Sequence, residues 1–319
     1  MIKGLSRAGR KKHKKQYTLL KLMSGFLLII PICVLGVRYI LHTDTPKKPT
    51  PPIIDAANSE SMANDIVLLQ KAIPQCFGAL SGFLASNTPE ERNQFVFSPI
   101  STASRIDRYY TLNPAIKIDP TALIFIGKSV LHLPNEKAVE THWKIKDGKK
   151  IDAVFREENG EWRLDWEQFI RYSDYPWSLF LAGAGPEEGE FRLLARERLA
   201  EERKKTDFIS LVLYAPRFGN PQDAGIPSPE FLISRKTPDA KLLNAAFRVA
   251  RSGKRIFNTQ LQDLNPSETI PVRVKVKRVE TGLARSFKIT KVTACHWYSL
   301  DDPGVEPLVP EPTAPEGNK

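Results

Sequence analysis

The first 43 residues of this 319-residue chain contain no aspartate and no glutamate. All 36 acids lie from Asp44 onward, whereas nine of the 47 lysines and arginines lie before it. The formal net charge of +11 is therefore almost wholly an N-terminal property, and the remaining 276 residues carry 38 basic against 36 acidic side chains. Charge of either sign is missing from Leu22 to Val37. Only three cysteines are present, too few to read a cysteine framework from spacing. No Gly-x-Ser-x-Gly elbow, His-Glu-x-x-His helix or phosphate-binding glycine loop occurs, and no internal repeat is found. These absences leave no reaction that the sequence can name.

What is present first is a membrane signal. Lys3, Arg7, Arg10, Lys11, Lys12, Lys14 and Lys15 precede the uncharged run. A helix rises about 1.5 Å per residue and the hydrocarbon core is about 30 Å thick, so a span needs roughly 20 residues. Thr18 to Leu41 meets that length, with Lys21 and Arg38 near its ends and Tyr17 and Tyr39 flanking it. Pro31 is tolerable in a membrane helix. Val37-Arg-Tyr-Ile-Leu-His42 offers no small-x-small cleavage site, so an uncleaved anchor is expected rather than a removed signal. The basic cluster against the run favours a juxtamembrane, anionic-lipid role over a nucleic-acid tail. The positive-inside rule puts the N-terminus in the cytoplasm and the rest across a bacterial inner membrane, in the periplasm.

Composition divides the chain into a basic tail (1–17), the span (18–41), a Pro-rich linker (42–63), a first domain (64–182), a second domain (190–300) and a disordered tail (301–319). In the first domain, apolar residues at Ile66, Leu69, Ile73, Phe77, Leu80 and Leu84 predict a helix over Asp65 to Ala85, kinked at Pro74. Thr88-Pro89-Glu90-Glu91 predicts a capped helix start, and a short helix follows around Ser101 to Tyr110. The period then changes to two. Val139, Thr141, Trp143 and Ile145 alternate with Glu140, His142 and Lys144. Ile151, Ala153 and Phe155 follow Asp147-Gly148, and Trp162, Leu164 and Trp166 follow Asn159-Gly160. This predicts antiparallel strands with one apolar and one polar face. The second domain reads strand, strand, helix, strand, strand. It includes Phe208 to Tyr214, a helix starting at Thr237-Pro238-Asp239 and stopped by Gly253, the alternation Val272–Lys277, and a strand from Phe287 to Trp297. The expected fold is α+β, with a helix and curved antiparallel sheet followed by a ββαββ unit.

The pattern Phe83-Leu84-Ala85, Thr88-Pro89-Glu90-Glu91, Arg108-Tyr109-Tyr110 and Glu158-Asn159-Gly160-Glu161-Trp162-Arg163-Leu164-Asp165-Trp166 resembles the nuclear-transport-factor-two-like, or cystatin-like, cone. It is similar to uncharacterised membrane-anchored bacterial proteins of the Verrucomicrobia type. The resemblance implies a fold and a topology and no reaction.

Trp143, Trp162 and Trp166 share a strand face and are candidates for lining the mouth of a cone. Their alternative role is plain core. His142, Asp152 and Asp165 alternate with the tryptophans, which places them on a solvated outer face rather than in an acid–base site. His296 beside Cys295 lacks spaced metal partners, so no metal or cofactor is expected. Cys76 and Cys295 are the only soluble-side pair that oxidation could join. Arg273, Lys275 and Lys277, with Lys288 and Lys291, make a basic stripe suited to an anionic envelope surface or an acidic protein partner, or else an ordinary solvated edge. The sequence reads as a non-enzymatic, membrane-anchored binding or assembly protein, with self-association open and nucleic acid unexpected. The rival is a small-molecule binder or a cyclase- or isomerase-like enzyme using the cone cavity.

Overall fold

The computed structural model describes residues 56–307, apart from 115, 199–206 and 283. The expected basic tail, the span Thr18–Leu41, Cys33 and the last twelve residues lie outside that range. The described residues from Ser61 onward form one compact unit.

The chain is α+β. Helix α1 runs Ala56–Ala85 with Pro74 inside it, so it starts nine residues before the expected start at Asp65 and takes in part of the expected linker. Thr88 caps α2 (Pro89–Asn93), its hydroxyl accepting from the Glu91 amide while Glu91 closes the capping box. Helix α3 (Pro99–Leu112) follows. Four antiparallel strands come next, β1 (Leu123–His132), β2 (Lys137–Ile145), β3 (Lys150–Glu158) and β4 (Glu161–Leu164), in the order β1-β2-β3-β4. Trp166 is not on the last strand. Asp165 breaks the strand and caps a short helix, α4 (Trp166–Ile170), through the Gln168 amide. After α5 (Trp177–Leu181) come β5 (Glu188–Glu197), β6 (Phe208–Tyr214), β7 (Phe231–Ser234), α6 (Pro238–Arg251), β8 (Thr269–Thr281) and β9 (Ala284–Ala294). The second sheet has the order β7-β6-β5-β8-β9, all antiparallel. It holds one strand more than the expected ββαββ pattern, because β7 is only four residues long and follows Pro227 and Pro229.

Each sheet buries one face under a helix. Ala72, Cys76, Leu80, Phe83 and Leu84 of α1 pack with Val139, Trp143, Ile151, Ala153, Phe155, Trp162 and Leu164. Phe77 departs from the expected stripe and stays exposed, although its ring lies 5.6 Å from that of Trp143. Among the described residues, Glu60–Ala85 is the one helical stretch long and apolar enough to cross a membrane. Its Asp65 meets His132 at 2.9 Å and Lys137 at 2.8 Å, and its apolar side is the core of the first layer. In the second layer Thr237 caps α6, Gly253 ends it with φ +71°, and Leu242, Leu243, Ala246 and Phe247 cover Phe191, Leu211, Val272 and Val274.

The polar face of the first sheet is not solvated. Leu131, Ala138 and Val154 pack with Tyr298, and Glu140 and His142 are buried as well. What covers them is chain from more than a hundred residues later. Residues Cys295–Leu300, just past β9, form a strap held by side chains of both sheets. Arg156 Nη1 donates to the Ser299 carbonyl at 2.6 Å and Arg192 Nε to the Trp297 carbonyl at 2.8 Å. Arg273 donates to the Leu300 carbonyl, and the Trp297 indole donates to the Leu193 carbonyl at 3.0 Å. Asp165 accepts from the Ser299 amide at 2.9 Å and from its hydroxyl at 2.6 Å. The Arg171 guanidinium lies 4.3 Å from the Trp297 ring centre. The first residues of the expected disordered tail are also pinned, since the Pro303 carbonyl accepts from the Cys295 amide at 2.9 Å.

Candidate functional site

The structure separates the candidate residues into three groups. Trp143, Trp162 and Trp166 are core: all three are under 10 % exposed and belong to one apolar cluster, and of the three Trp166 also borders an opening on the α3 side. His142, Asp152 and Asp165 are not on a solvated face, because the strap and the segment before β8 cover them. Arg273, Lys275 and Lys277 share a sheet face, but the stripe is broken in depth. Arg273 is 6 % exposed while Lys275 and Lys277 are open, and Glu190 and Glu188 stand opposite those two lysines on β5. Lys288 and Lys291 on β9 are exposed.

The covered face opens into a cleft of about 530 Å³ lined by Glu140, His142, Asp152, Gln168, Thr259 and Tyr298 among others. Strand alternation puts Glu140 and His142 on one face of β2, and the β2–β3 register sets His142 opposite Asp152. The opposing wall comes from residues 257–261. There Phe257 and Asn258 both take left-handed backbone (φ +58° and +57°), a conformation costly for a bulky side chain. That turn brings the Thr259 hydroxyl to Glu140 Oε2 and the Gln260 amide to Ser129 Oγ at 2.9 Å. Gly127 on β1 leaves room for Leu261, whose Cδ2 would stand 2.7 Å from a Cβ there and would have to turn aside.

Burial pushes the Glu140 carboxyl up to about 7, against the lowering effects of the Thr259 hydrogen bond and the Arg255 charge. Its Oε1 lies 4.0 Å from both His142 Nε2 and an Arg255 nitrogen, too far for either to be a full partner. Burial pushes His142 down, keeping it neutral near pH 7. Asp152 is also driven up by burial, but the charges of Arg171 and His142 and the hydrogen bonds from Arg171 and Gln168 outweigh that, and it stays below the usual carboxylate range. Gln168 Nε2 donates to Asp152 Oδ2 at 2.7 Å, while its Oε1 is buried without a partner. Protonated Glu140 beside neutral His142 can give up a proton to an incoming base or, once ionised, hold a cation.

Cys295 lines the same cleft, and burial raises its thiol to about 12, so it is no nucleophile near neutral pH. It belongs to the second core and Cys76 to the first, and both are free. His296 is buried and pushed down to about 3, chiefly by burial, with Nε2 on the Asp302 carbonyl at 2.7 Å and Nδ1 accepting from the Tyr298 amide. Among the described residues no group of three or more histidines, cysteines or acids is placed to hold a metal. Glu140 and Thr259 escape sequence reasoning because their meeting spans 119 residues, and only the run of polar residues on a strand rich in buried neighbours hints at it.

No protein-family model, no curated protein and no solved structure matches the chain.

Proposed function

We propose that this chain is a membrane-anchored, non-enzymatic binding protein that holds a cationic hydrogen-bond donor, an ammonium or guanidinium, in the seam cleft. The observation that carries the reading is the Glu140–His142–Asp152 row, buried yet facing a cavity, with Glu140 Oε1 and Gln168 Oε1 as acceptors short of donors. A buried acceptor without a donor costs on the order of 1–3 kcal/mol, which a suitable ligand would recover. The anchor rests on Thr18–Leu41 and its charge asymmetry, and it implies an envelope-exposed body on the far side of a bacterial inner membrane. The four-stranded sheet with α1 on its apolar face supports the cystatin-like reading of the first layer.

The test is a thermal-shift titration of the detergent-solubilised full chain with small amines and guanidines, at pH 5.5 and pH 8. Stabilisation is expected at pH 8, weaker at pH 5.5 because Glu140 must ionise, and absent in Glu140→Gln. No response from any of them at either pH would leave the cleft a structural seam. The 4.0 Å Glu140–His142 pair favours one rival, an acid–base enzyme in the same cleft. Recovery of the bound compound unchanged supports binding; conversion abolished by both Glu140→Gln and His142→Gln supports the enzyme.

A further inference from the structure

A second opening, of about 450 Å³, lies where the first turn of α3 meets β8 and the strap. Ser98, Ser101, Thr102, Arg105, Arg273 and Lys275 are on its wall. Arg273 is the unusual member. It is 6 % exposed, its Nε has no partner, and its one hydrogen bond goes to the neutral Leu300 carbonyl. No carboxylate among the described residues forms an ion pair with it, and Arg192 stands directly opposite on β5. A buried guanidinium without a counter-ion is an unbalanced charge in a low-dielectric setting, and folded chains rarely leave one so.

The acids around the same opening, Glu190 first and then Glu167 and Asp165, act on Arg273 only across space, and none of them is its hydrogen-bond partner. Asp165 is taken by Ser299 and the Gln168 amide, and Glu167 by Arg105 and Arg192. Asp174 is taken by the Glu190 amide. Glu190 faces Lys275 across the β5–β8 register, and Asp301 is exposed. The start of α3 adds little attraction of its own, since Pro99 has no N–H, the Ser98 amide donates to Glu158 Oε2 at 3.3 Å and the Ser101 and Thr102 amides donate to the Ser98 carbonyl.

We propose that this opening is an oxyanion site for a phosphate group, held by the Arg273 guanidinium and the Lys275 ammonium, with Ser101 and Thr102 of α3 on its wall. It lies apart from the seam cleft and does not depend on the amine reading of that cleft. A planar guanidinium with free N–H groups suits a phosphate or phosphomonoester, since it presents paired donors to two oxygens.

The probe is inorganic phosphate, titrated into the detergent-solubilised full chain against sodium chloride at matched ionic strength, with thermal unfolding as readout. A saturable rise in melting temperature, on the order of 3 °C at tenfold excess over Kd, is expected with phosphate and not with chloride. Arg273→Gln should lose it. Because Arg273 also holds the strap, Ser101→Glu is the second variant: it sets a carboxylate at an exposed helix start, where acids favour the helix, and should abolish the phosphate response while melting like wild type. A phosphate response no larger than that to chloride, or one that survives Ser101→Glu, overturns the proposal. A soluble short-chain phosphatidate run beside inorganic phosphate separates the sources. An equal response per mole assigns a free phosphate, and a stronger one assigns a lipid headgroup.

Discussion

Glu140 and His296 are buried ionisable groups whose pH responses run in opposite directions. Glu140 titrates near 7 in the fold against 4.5 when exposed, so between those values the folded chain keeps a proton the unfolded chain has released, and stability falls as pH rises. His296 titrates near 3 against 6.5, so between those values the unfolded chain binds the extra proton, and stability rises with pH. From pH 4.5 to 6.5 the two slopes oppose each other and mask one another in the wild-type curve. Glu140→Gln removes one of them. Its stability relative to wild type, from urea unfolding, should climb by about 3 kcal/mol between pH 4.5 and 7, at 1.36 kcal/mol per unit. Parallel curves would show that Glu140 ionises as easily folded as unfolded. Trp166 sits on the other side of the first sheet, 1 % exposed among Tyr109 and Tyr172. Trp166→Ala should cost about 3–5 kcal/mol, and a loss below about 1 kcal/mol would mean that this face is open.

At the scale of elements, local chemistry was readable and distant chemistry was not. The Thr88 and Thr237 caps, the Asn159-Gly160 hairpin and the alternation of β8 are short-range patterns, and each stands where the sequence puts it. The polar residues of β2 and β3 were misread as solvated because period-two alternation says only that a strand has two different faces. Whether the polar face meets water depends on residues 257–261 and 295–300, and no local pattern ties Asp165 to Ser299 across 134 residues. The aromatic side of the same strands was the safer inference, since apolar burial under a helix needs only α1. The basic stripe shares one sheet face as its alternation predicts, but alternation fixes a shared face and not a shared depth. Arg273→Ala should therefore destabilise by about 1.5–3 kcal/mol through the lost charged hydrogen bond to the strap, whereas Lys275→Ala with Lys277→Ala should stay within about 0.5 kcal/mol. Equal effects in urea unfolding would refute the division of the stripe.

For the whole molecule the charge distribution and the described body have to agree on one topology. A nearly charge-neutral body behind a basic N-terminus predicts a cytoplasmic start and an exported body. Alkaline phosphatase fused to the C-terminus should be active in a bacterial host, and carbonate washing should leave the full chain in the membrane. An inactive fusion would reverse the orientation, and release by carbonate would remove the anchor.

The strap also sets an order of events in biosynthesis. A chain leaves the ribosome N-terminus first, so both sheets and both helical covers are made before Cys295–Leu300 emerge. Until then Leu131, Ala138 and Val154 lack Tyr298 and Leu300 over them and the arginines at 156, 192 and 273 lack their carbonyl acceptors in the strap. A chain ending at Ala294 should carry every strand and helix of the described body and still be cut readily between the layers by a protease, while the full chain resists. A chain that loses those residues would leave the seam between the layers open.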